Sequence, residues 1–171
     1  MHDEQPTLES KPPLLQRSTI NDDVLGRIYA SDQDMYPAPL TYERLKSWVE
    51  GCPELCISFE AGSEEGADVV LIGAIIVLPL LKRHWEDVLM GSLKEIDIDA
   101  AAMFAGDGDA DVGLHVFHIE RFDASLRTRL PNFAEHAMEN IRDIVRKKDW
   151  NILGYSGIFT PPHSGFVPEL I

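Results

Sequence analysis

Residues 111–159 constrain the fold more than any other stretch of the chain. They read as a strand (VGLHVFHIERF), a loop (DASLRTRLPN), an amphipathic helix (FAEHAMENIRDIVRKKD) and a second strand (WNILGYSGIF). Parallel neighbouring strands need a crossover connection, usually an α-helix, so this order predicts a βαβ unit. The N-terminus of the helix in such a unit is a common place for an anionic ligand.

The helix of this unit has the clearest pattern in the chain. Asn132 followed by Glu135 fits a capping box, which predicts that the helix begins at Phe133. The apolar residues recur at helical spacing and predict one buried stripe. This stripe comprises Phe133, Ala134, Ala137, Met138, Ile141, Ile144 and Val145.

The strand before the helix alternates in a regular way. Side chains of a regular strand point to opposite faces in turn. We therefore expect Leu114, Val116 and His118 on one face, and His115 and Phe117 on the other. With the two histidines on opposite faces, one metal ion could not be held by both, and we predict no metal site here.

The segments upstream predict two helices and then two strands. Helical spacing from Asn21 predicts a helix that ends before DMYPAP, and Thr41 is positioned to cap a second helix. ELCISFEA and VVLIGAIIVLPLL predict a strand pair, with Gly73 at a bulge or a close approach. KRHWEDVLMG predicts a short helix. Residues 1–13 predict a flexible tail, and residues 14–171 one domain.

The chain has 171 residues and a net charge of -14. Such an acidic surface argues against nucleic acid and anionic membranes as partners, because both need compensating Lys and Arg. It would suit a cationic amine, although solubility alone also explains it. Cys52 and Cys56 have no second cysteine pair to complete a zinc site. Free thiols, a polar N-terminus and no apolar run longer than a strand predict a cytoplasmic protein.

The order of two helices, two strands, a strand, a long helix and a strand resembles the GNAT superfamily of N-acetyltransferases over residues 15–166. LHVFHIER is similar to the family segment L-x-V-x-P-x-x-R, in which Leu114, Val116 and Arg121 match and His118 replaces proline. The resemblance implies an α/β (α+β) fold, with a mixed central sheet flanked by helices.

The resemblance also implies acetyl-CoA as a cosubstrate, wedged between two splayed strands. Main-chain amides of Val116, Phe117 and His118 would hold its pantetheine arm. Arg121 matches the family loop that cradles the pyrophosphate, but RFDASL lacks the glycines of that loop, and Arg127 and Arg129 could supply charge in their place. These two arginines could equally be solvated loop residues.

The chain departs from the family again after residue 159. Only TPPHSGFVPELI remains, where the family has another helix and two strands that help form the acceptor site. Either a partner subunit completes the fold as a homodimer, or the chain is a shortened relative.

Acetyl transfer to an amine needs a base and a general acid. Glu120, at the end of the strand, is the candidate base, and Tyr155 in GYSG is the candidate acid. The alternatives are a surface Glu paired with a neighbour and a core aromatic. LKEIDID is ambiguous between strand and helix; as a strand, it would align Glu95, Asp97 and Asp99 to hold a cationic acceptor.

Three expectations about function remain open at this point. The first is an acetyltransferase-like protein that transfers an acetyl group from acetyl-CoA to a small amine. The second is an inactive relative that serves as a ligand-binding or protein-interaction module. The third is an unrelated α/β domain, which would lack a splay between the strands at Val116 and Leu153.

Overall fold

The computed structural model describes residues 15–35, 40–62, 69–122 and 132–157. Its strands are β1 (Leu15–Thr19), β2 (Cys56–Ala61), β3 (Val70–Leu81), β4 (Asp111–Arg121) and β5 (Asn151–Gly157). Its α-helices are α1 (Asp22–Met35), α2 (Tyr42–Gly51), α3 (Lys82–Leu89), α4 (Ala100–Met103) and α5 (Phe133–Val145). Short 3₁₀ turns span Pro53–Leu55 and Glu95–Asp97. The predicted tail, residues 1–13, lies outside the described residues.

The strands form one mixed sheet in the order β1-β2-β3-β4-β5. The first three pairings are antiparallel, and β4 pairs with β5 in parallel. The crossover between β4 and β5 carries α5, so the predicted βαβ unit is confirmed. Helices cover both faces, which confirms the mixed sheet flanked by helices.

Each face of the sheet has its own apolar core. The α5 side of the sheet contributes Val112, Leu114 and Val116 from β4, and they pack with Phe133, Ala137, Ile141 and Val145 of α5. On the other face, α1 and α2 contribute Leu25, Ile28, Leu45 and Trp48, which pack with Ala74, Ile76 and Leu78 of β3. The predicted apolar stripe of α5 is therefore confirmed at these four positions, with Met138 and Ile144 half-buried, whereas Ala134 is exposed.

The two predicted helix caps differ in outcome. Thr41 has extended backbone, and its hydroxyl accepts a hydrogen bond from the Arg44 N–H at 3.2 Å, as expected for an N-cap. Asn132 precedes α5 but makes no side-chain cap bond, so the predicted capping box is wrong. Its ψ of 45° departs from the extended conformation that directs an N-cap side chain toward the helix amides.

The regular alternation predicted for β4 is wrong, because Phe117 is an extra residue in the ladder. Val116 pairs with Val77 of β3, and His118 pairs with the adjacent Ile76. A bulge of this kind places two residues of one strand opposite a single residue of its partner. Phe117 and His118 therefore both lie on the face covered by α1 and α2.

The bulge changes the placement of the two histidines. His115 pairs with Leu78, which belongs to the α1–α2 core, and His118 pairs with Ile76 of the same core. Directly opposite residues share a face of the sheet. The two imidazoles therefore lie on the same face, contrary to the prediction.

Gly73 lies at a close approach, as predicted. A Cβ atom at this position would lie 2.5 Å from Cζ of Phe133, and nearer still to the carbonyl oxygen of Glu120. Only glycine fits, because both the β4 backbone and the first residue of α5 lie against β3 at this point.

The segment LKEIDID forms a 3₁₀ turn followed by the cap of α4, so the strand alternative is wrong. The carbonyl oxygen of Ile98 accepts hydrogen bonds from Trp48 Nε1 at 2.9 Å and from Arg44 at 3.2 Å. These bonds hold the segment against α2, so it does not pair with a strand. Asp99 caps α4 by accepting from the Ala101 N–H, so the predicted row of three carboxylates does not form.

Candidate functional site

An apolar cavity of about 210 Å³ lies between β4, β5 and the N-terminal half of α5. The lining residues come in pairs from these three elements: Val116 and Ile119, Tyr155 and Ser156, and Ala134 and Met138. Tyr155 is 43% exposed, so the cavity is open to solvent along β5. A cavity with this lining can accept an apolar chain.

The backbone at this cavity is only partly engaged in the sheet. Within the described residues, the β4–β5 ladder ends at Val116 and Gly157, while β4 continues to Arg121. Leu153 is an extra residue in β5, which shifts the register of this parallel pair. A splay beyond Val116 stays a prediction, because residues 158–171 lie outside the described part of the chain.

A carboxylate–imidazole pair lies on the opposite face of β4. Glu120 accepts hydrogen bonds from His118 Nε2 at 3.0 Å and from the Ser31 hydroxyl of α1 at 2.9 Å. Asp32, the next residue of α1, is only 6% exposed and interacts electrostatically with both Glu120 and His118. Glu95 also belongs to this set of interacting charges. The α1 face of β4 therefore concentrates negative charge that would attract a cation.

The two carboxyl groups have pKa shifts of opposite sign. Burial raises the pKa of Asp32, and the negative charge of Glu120 adds to the rise while His118 opposes it. Burial alone would also raise the pKa of Glu120. The hydrogen bonds from His118 and Ser31 outweigh that effect, however, and hold the pKa of Glu120 below its usual value.

These shifts predict opposite pH dependences for Asp32→Asn and Glu120→Gln. Stability falls as pH rises from the unfolded-state to the folded-state pKa of Asp32, because the folded state holds that proton more strongly. Asp32→Asn should therefore raise the melting temperature near neutral pH, and its advantage should vanish in acid.

The stability that ionised Glu120 supplies is lost as pH falls through its folded-state pKa. Glu120→Gln should therefore lower the melting temperature near neutral pH and lose its effect in acid. Thermal melts across this range check both, and shifts of equal sign would contradict the assignment.

The structure brings together two of the residues predicted at the site. Val116 and Tyr155 both line the cavity. The side chains of Phe117 and His118 lie on the other face of the sheet, where Phe117 contacts Trp48 with ring centroids 4.9 Å apart. Only the backbone of these two residues can therefore face the cavity side of β4.

The remaining predicted residues divide between the end of β4 and the loop after it. Glu120 lies with His118 and Ser31 on the α1 face. Arg121 is the last residue of β4 and pairs across the sheet with Gly73. Arg127 and Arg129 lie outside the described residues.

Sequence reasoning missed the contribution of α1 to the site. Asp32 follows Ile28 by four residues and Leu25 by seven, so it occupies a position of the buried stripe of α1. A charged residue on an apolar stripe is seldom buried without a specific environment. That position was the available signal, and it would also have pointed to its neighbour Ser31.

The cysteines play no part in this site. Cys52 and Cys56 are both free and buried. Burial raises the pKa of the Cys52 thiol to about 12, and it raises the pKa of Cys56 further. Both thiols are therefore protonated and unreactive at neutral pH.

A scan against protein-family models finds no match, and a search of curated proteins finds none either. Among the helices of the described residues, none is long and apolar enough to cross a membrane. Within the same ranges, no three His, Cys, Asp or Glu side chains are grouped so as to hold a metal ion.

Proposed function

We propose that this chain is an acyl-CoA-dependent N-acyltransferase, of the GNAT fold, that transfers an acetyl group from acetyl-CoA to a small amine. The observation that carries the proposal is the apolar cavity between two parallel strands and the helix that connects them. In this proposal, the cavity receives the acyl-pantetheine end of the donor. The resemblance in element order, from the first helix pair to β5, supports the same conclusion.

The residues around the cavity fit the acyl-pantetheine end of acetyl-CoA. Val116, Ile119 and Met138 offer apolar contact to the acyl group and its linker. The backbone of Phe117–Glu120 has no β5 partner among the described residues, and it would supply amide contacts to the pantetheine arm. Arg121, Arg127 and Arg129 are the proposed contacts to the phosphates.

The α1 face of β4 supports an amine acceptor. Asp32 and Glu120 provide negative charge that would attract an ammonium group. The amine must lose a proton before it attacks the thioester. Glu120 is the proposed base. Its lowered pKa makes it a weak base by itself, so we propose that the neighbouring His118, whose imidazole is the commonest type of general base, shares this role. Tyr155, at the cavity, is the proposed acid for the departing thiolate.

Filling the cavity tests the donor site directly. Met138→Trp should abolish the thermal shift and the calorimetric signal produced by millimolar acetyl-CoA, because the indole would occupy the space of the acyl chain. Met138→Leu conserves volume and should bind like the wild type. Arg127→Ala combined with Arg129→Ala should weaken binding through the phosphates. Acetyl-CoA binding to the Trp variant at wild-type affinity, or no binding to the wild type, would overturn the proposal.

A non-catalytic binding module is the second candidate function. The lowered pKa of Glu120 favours it, because a stabilised carboxylate accepts protons poorly. The absence of glycines from RFDASL favours it as well. Incubation with labelled acetyl-CoA and a panel of amines separates the two candidates. Transfer of label to an amine supports the enzyme, whereas acetyl-CoA binding without transfer supports the module.

A further inference from the structure

Three side chains from distant parts of the chain form one hydrogen-bonded series. Glu95 Oε1 lies 2.5 Å from His115 Nε2, and His115 Nδ1 lies 2.9 Å from the Ser156 hydroxyl. Glu95 belongs to the turn after α3, His115 to β4 and Ser156 to β5. The order of hydroxyl, imidazole and carboxylate is the one that activates serine nucleophiles.

Trp85 of α3 determines the direction of the protons. Its Nε1–H, which can only donate, lies 2.9 Å from the Ser156 oxygen. Ser156 therefore accepts from the indole and has its own hydrogen free to donate to Nδ1 of neutral His115. The imidazole proton is then on Nε2, where it is donated to the Glu95 carboxylate. Every donor in the series has an acceptor.

The series is buried at its centre. The His115 side chain is 1% exposed, and that of Glu95 is 19% exposed. The ring of Trp85 lies directly against the backbone of two glycines, Gly113 and Gly154, which pair across β4 and β5. The Glu95 carboxylate therefore holds the buried imidazole in one tautomer and one orientation.

The Ser156 side chain is only partly covered. Ser156 is half-buried, and its hydroxyl lies on the face of the sheet that carries His115 and Trp85, opposite the apolar cavity beside α5. A partly exposed serine with a base and an orienting carboxylate has the arrangement of an acyl-accepting nucleophile.

We propose that Ser156 is a nucleophile for small esters or thioesters, that His115 is its base, and that Glu95 is a positioning residue. The Ser156 oxygen forms a bond to the carbonyl carbon while its proton passes to His115 Nδ1. The bond from that carbon to the leaving oxygen or sulfur breaks, and His115 returns the proton to the leaving group. Water then cleaves the acyl-serine by the reverse proton path, which releases the acid and restores the hydroxyl.

This activity goes beyond the proposed acetyl transfer and needs neither CoA nor an amine. It can therefore be tested with diisopropyl fluorophosphate, which phosphorylates activated serines and releases fluoride. Peptide mass spectrometry of the full chain should show one adduct, on Ser156, and hydrolysis of p-nitrophenyl butyrate should fall in step with labelling. Failure of acetyl-CoA binding in the Met138 series would leave this expectation unchanged, so the two proposals fail separately.

The variants distinguish catalysis from structure. Ser156→Ala should eliminate the adduct, and His115→Gln should slow labelling by about 10²–10⁴-fold through loss of the base. Glu95→Gln should slow labelling at least about tenfold, because the imidazole loses the carboxylate that fixes its tautomer and orientation, and Glu95→Asp should restore part of the rate. Ser92→Ala, an exposed serine outside the series, is the matched control and should label like the wild type.

Three results would overturn the proposal. They are an unlabelled wild-type protein, an adduct that persists in Ser156→Ala, and unchanged labelling in both Glu95→Gln and His115→Gln when circular dichroism shows native folding. Should His115→Gln fail to fold, the labelling rates of Glu95→Gln and Glu95→Asp decide.

Discussion

Trp48→Ala should lower the free energy of unfolding by about 3–5 kcal/mol, the usual cost of removing a large aromatic side chain from a core. Trp48 is fully buried, and its ring lies edge-on to Phe117 with centroids 4.9 Å apart. Its Nε1 also donates to the carbonyl oxygen of Ile98. The variant therefore leaves a cavity in the α1–α2 core and frees the turn that carries Glu95. Urea unfolding monitored by circular dichroism measures the loss.

Two further variants separate the contributions of Trp48. Trp48→Phe keeps most of the ring but loses the bond to Ile98, so it should cost less than the Ala variant while still slowing the labelling of Ser156. Trp150→Ala removes a tryptophan that is only half-buried and should cost clearly less. A loss of under about 1 kcal/mol in Trp48→Ala would contradict its role in this core, since core truncations of this size cost several times more.

Gly113→Ala should destabilise the protein by about 1–3 kcal/mol or more, as overpacking of a well-packed core does. A Cβ atom on Gly113 would overlap the indole of Trp85, with Cδ1 2.5 Å away and two other ring atoms nearer still. The indole must then move and release the Ser156 oxygen, which is 2.9 Å from Nε1. We expect both a lower urea midpoint and slower labelling of Ser156.

Two controls test whether the indole causes this cost. In a Trp85→Ala background, Gly113→Ala should lose most of its effect, because the overlapping ring is absent; the double-mutant cycle measures that coupling. Gly26→Ala, in an exposed part of α1 with nothing within 4 Å of the new atom, should instead stabilise by about 0.5–1 kcal/mol. Equal costs for Gly113→Ala in the two backgrounds would show that the overlap with Trp85 does not matter.

The elements with a strong local signal could be predicted from the sequence. The stripe of α5 repeats at the helical period, and Thr41 combines a short polar side chain with a following helix. Both signals act within a few residues, so no distant contact can override them easily. Gly73 was also predictable, because an isolated glycine in an apolar strand marks a close approach.

The bulge at Phe117 could not be predicted in the same way. Its position depends on which residue of β3 faces each residue of β4, and no local pattern encodes that register. One extra residue moves every later side chain of the strand to the other face. The bulge therefore places the His118 side chain on the α1 face, whereas a regular alternation would have placed it on the cavity side.

The residues of the candidate site also divide into those that the sequence pattern identified and those that only the tertiary structure brings together. Val116, Glu120 and Tyr155 were found from their places in a recognisable strand–helix–strand order. Glu95 and Ser156 meet His115 only because the turn after α3, β4 and β5 come together in three dimensions. Hydrogen bonds between side chains 20 and 41 positions apart leave no periodic trace in a single sequence.

The sequence alone determined the βαβ unit of residues 111–159, because hydrophobic periodicity and crossover length are local properties of the chain. The tertiary structure decided which side chains of that unit meet, because strand register and helix docking arise from packing between distant segments. The parallel pair and α5 were therefore foreseeable. The cavity between them, the cluster around Glu120 and the series that ends at Ser156 were not.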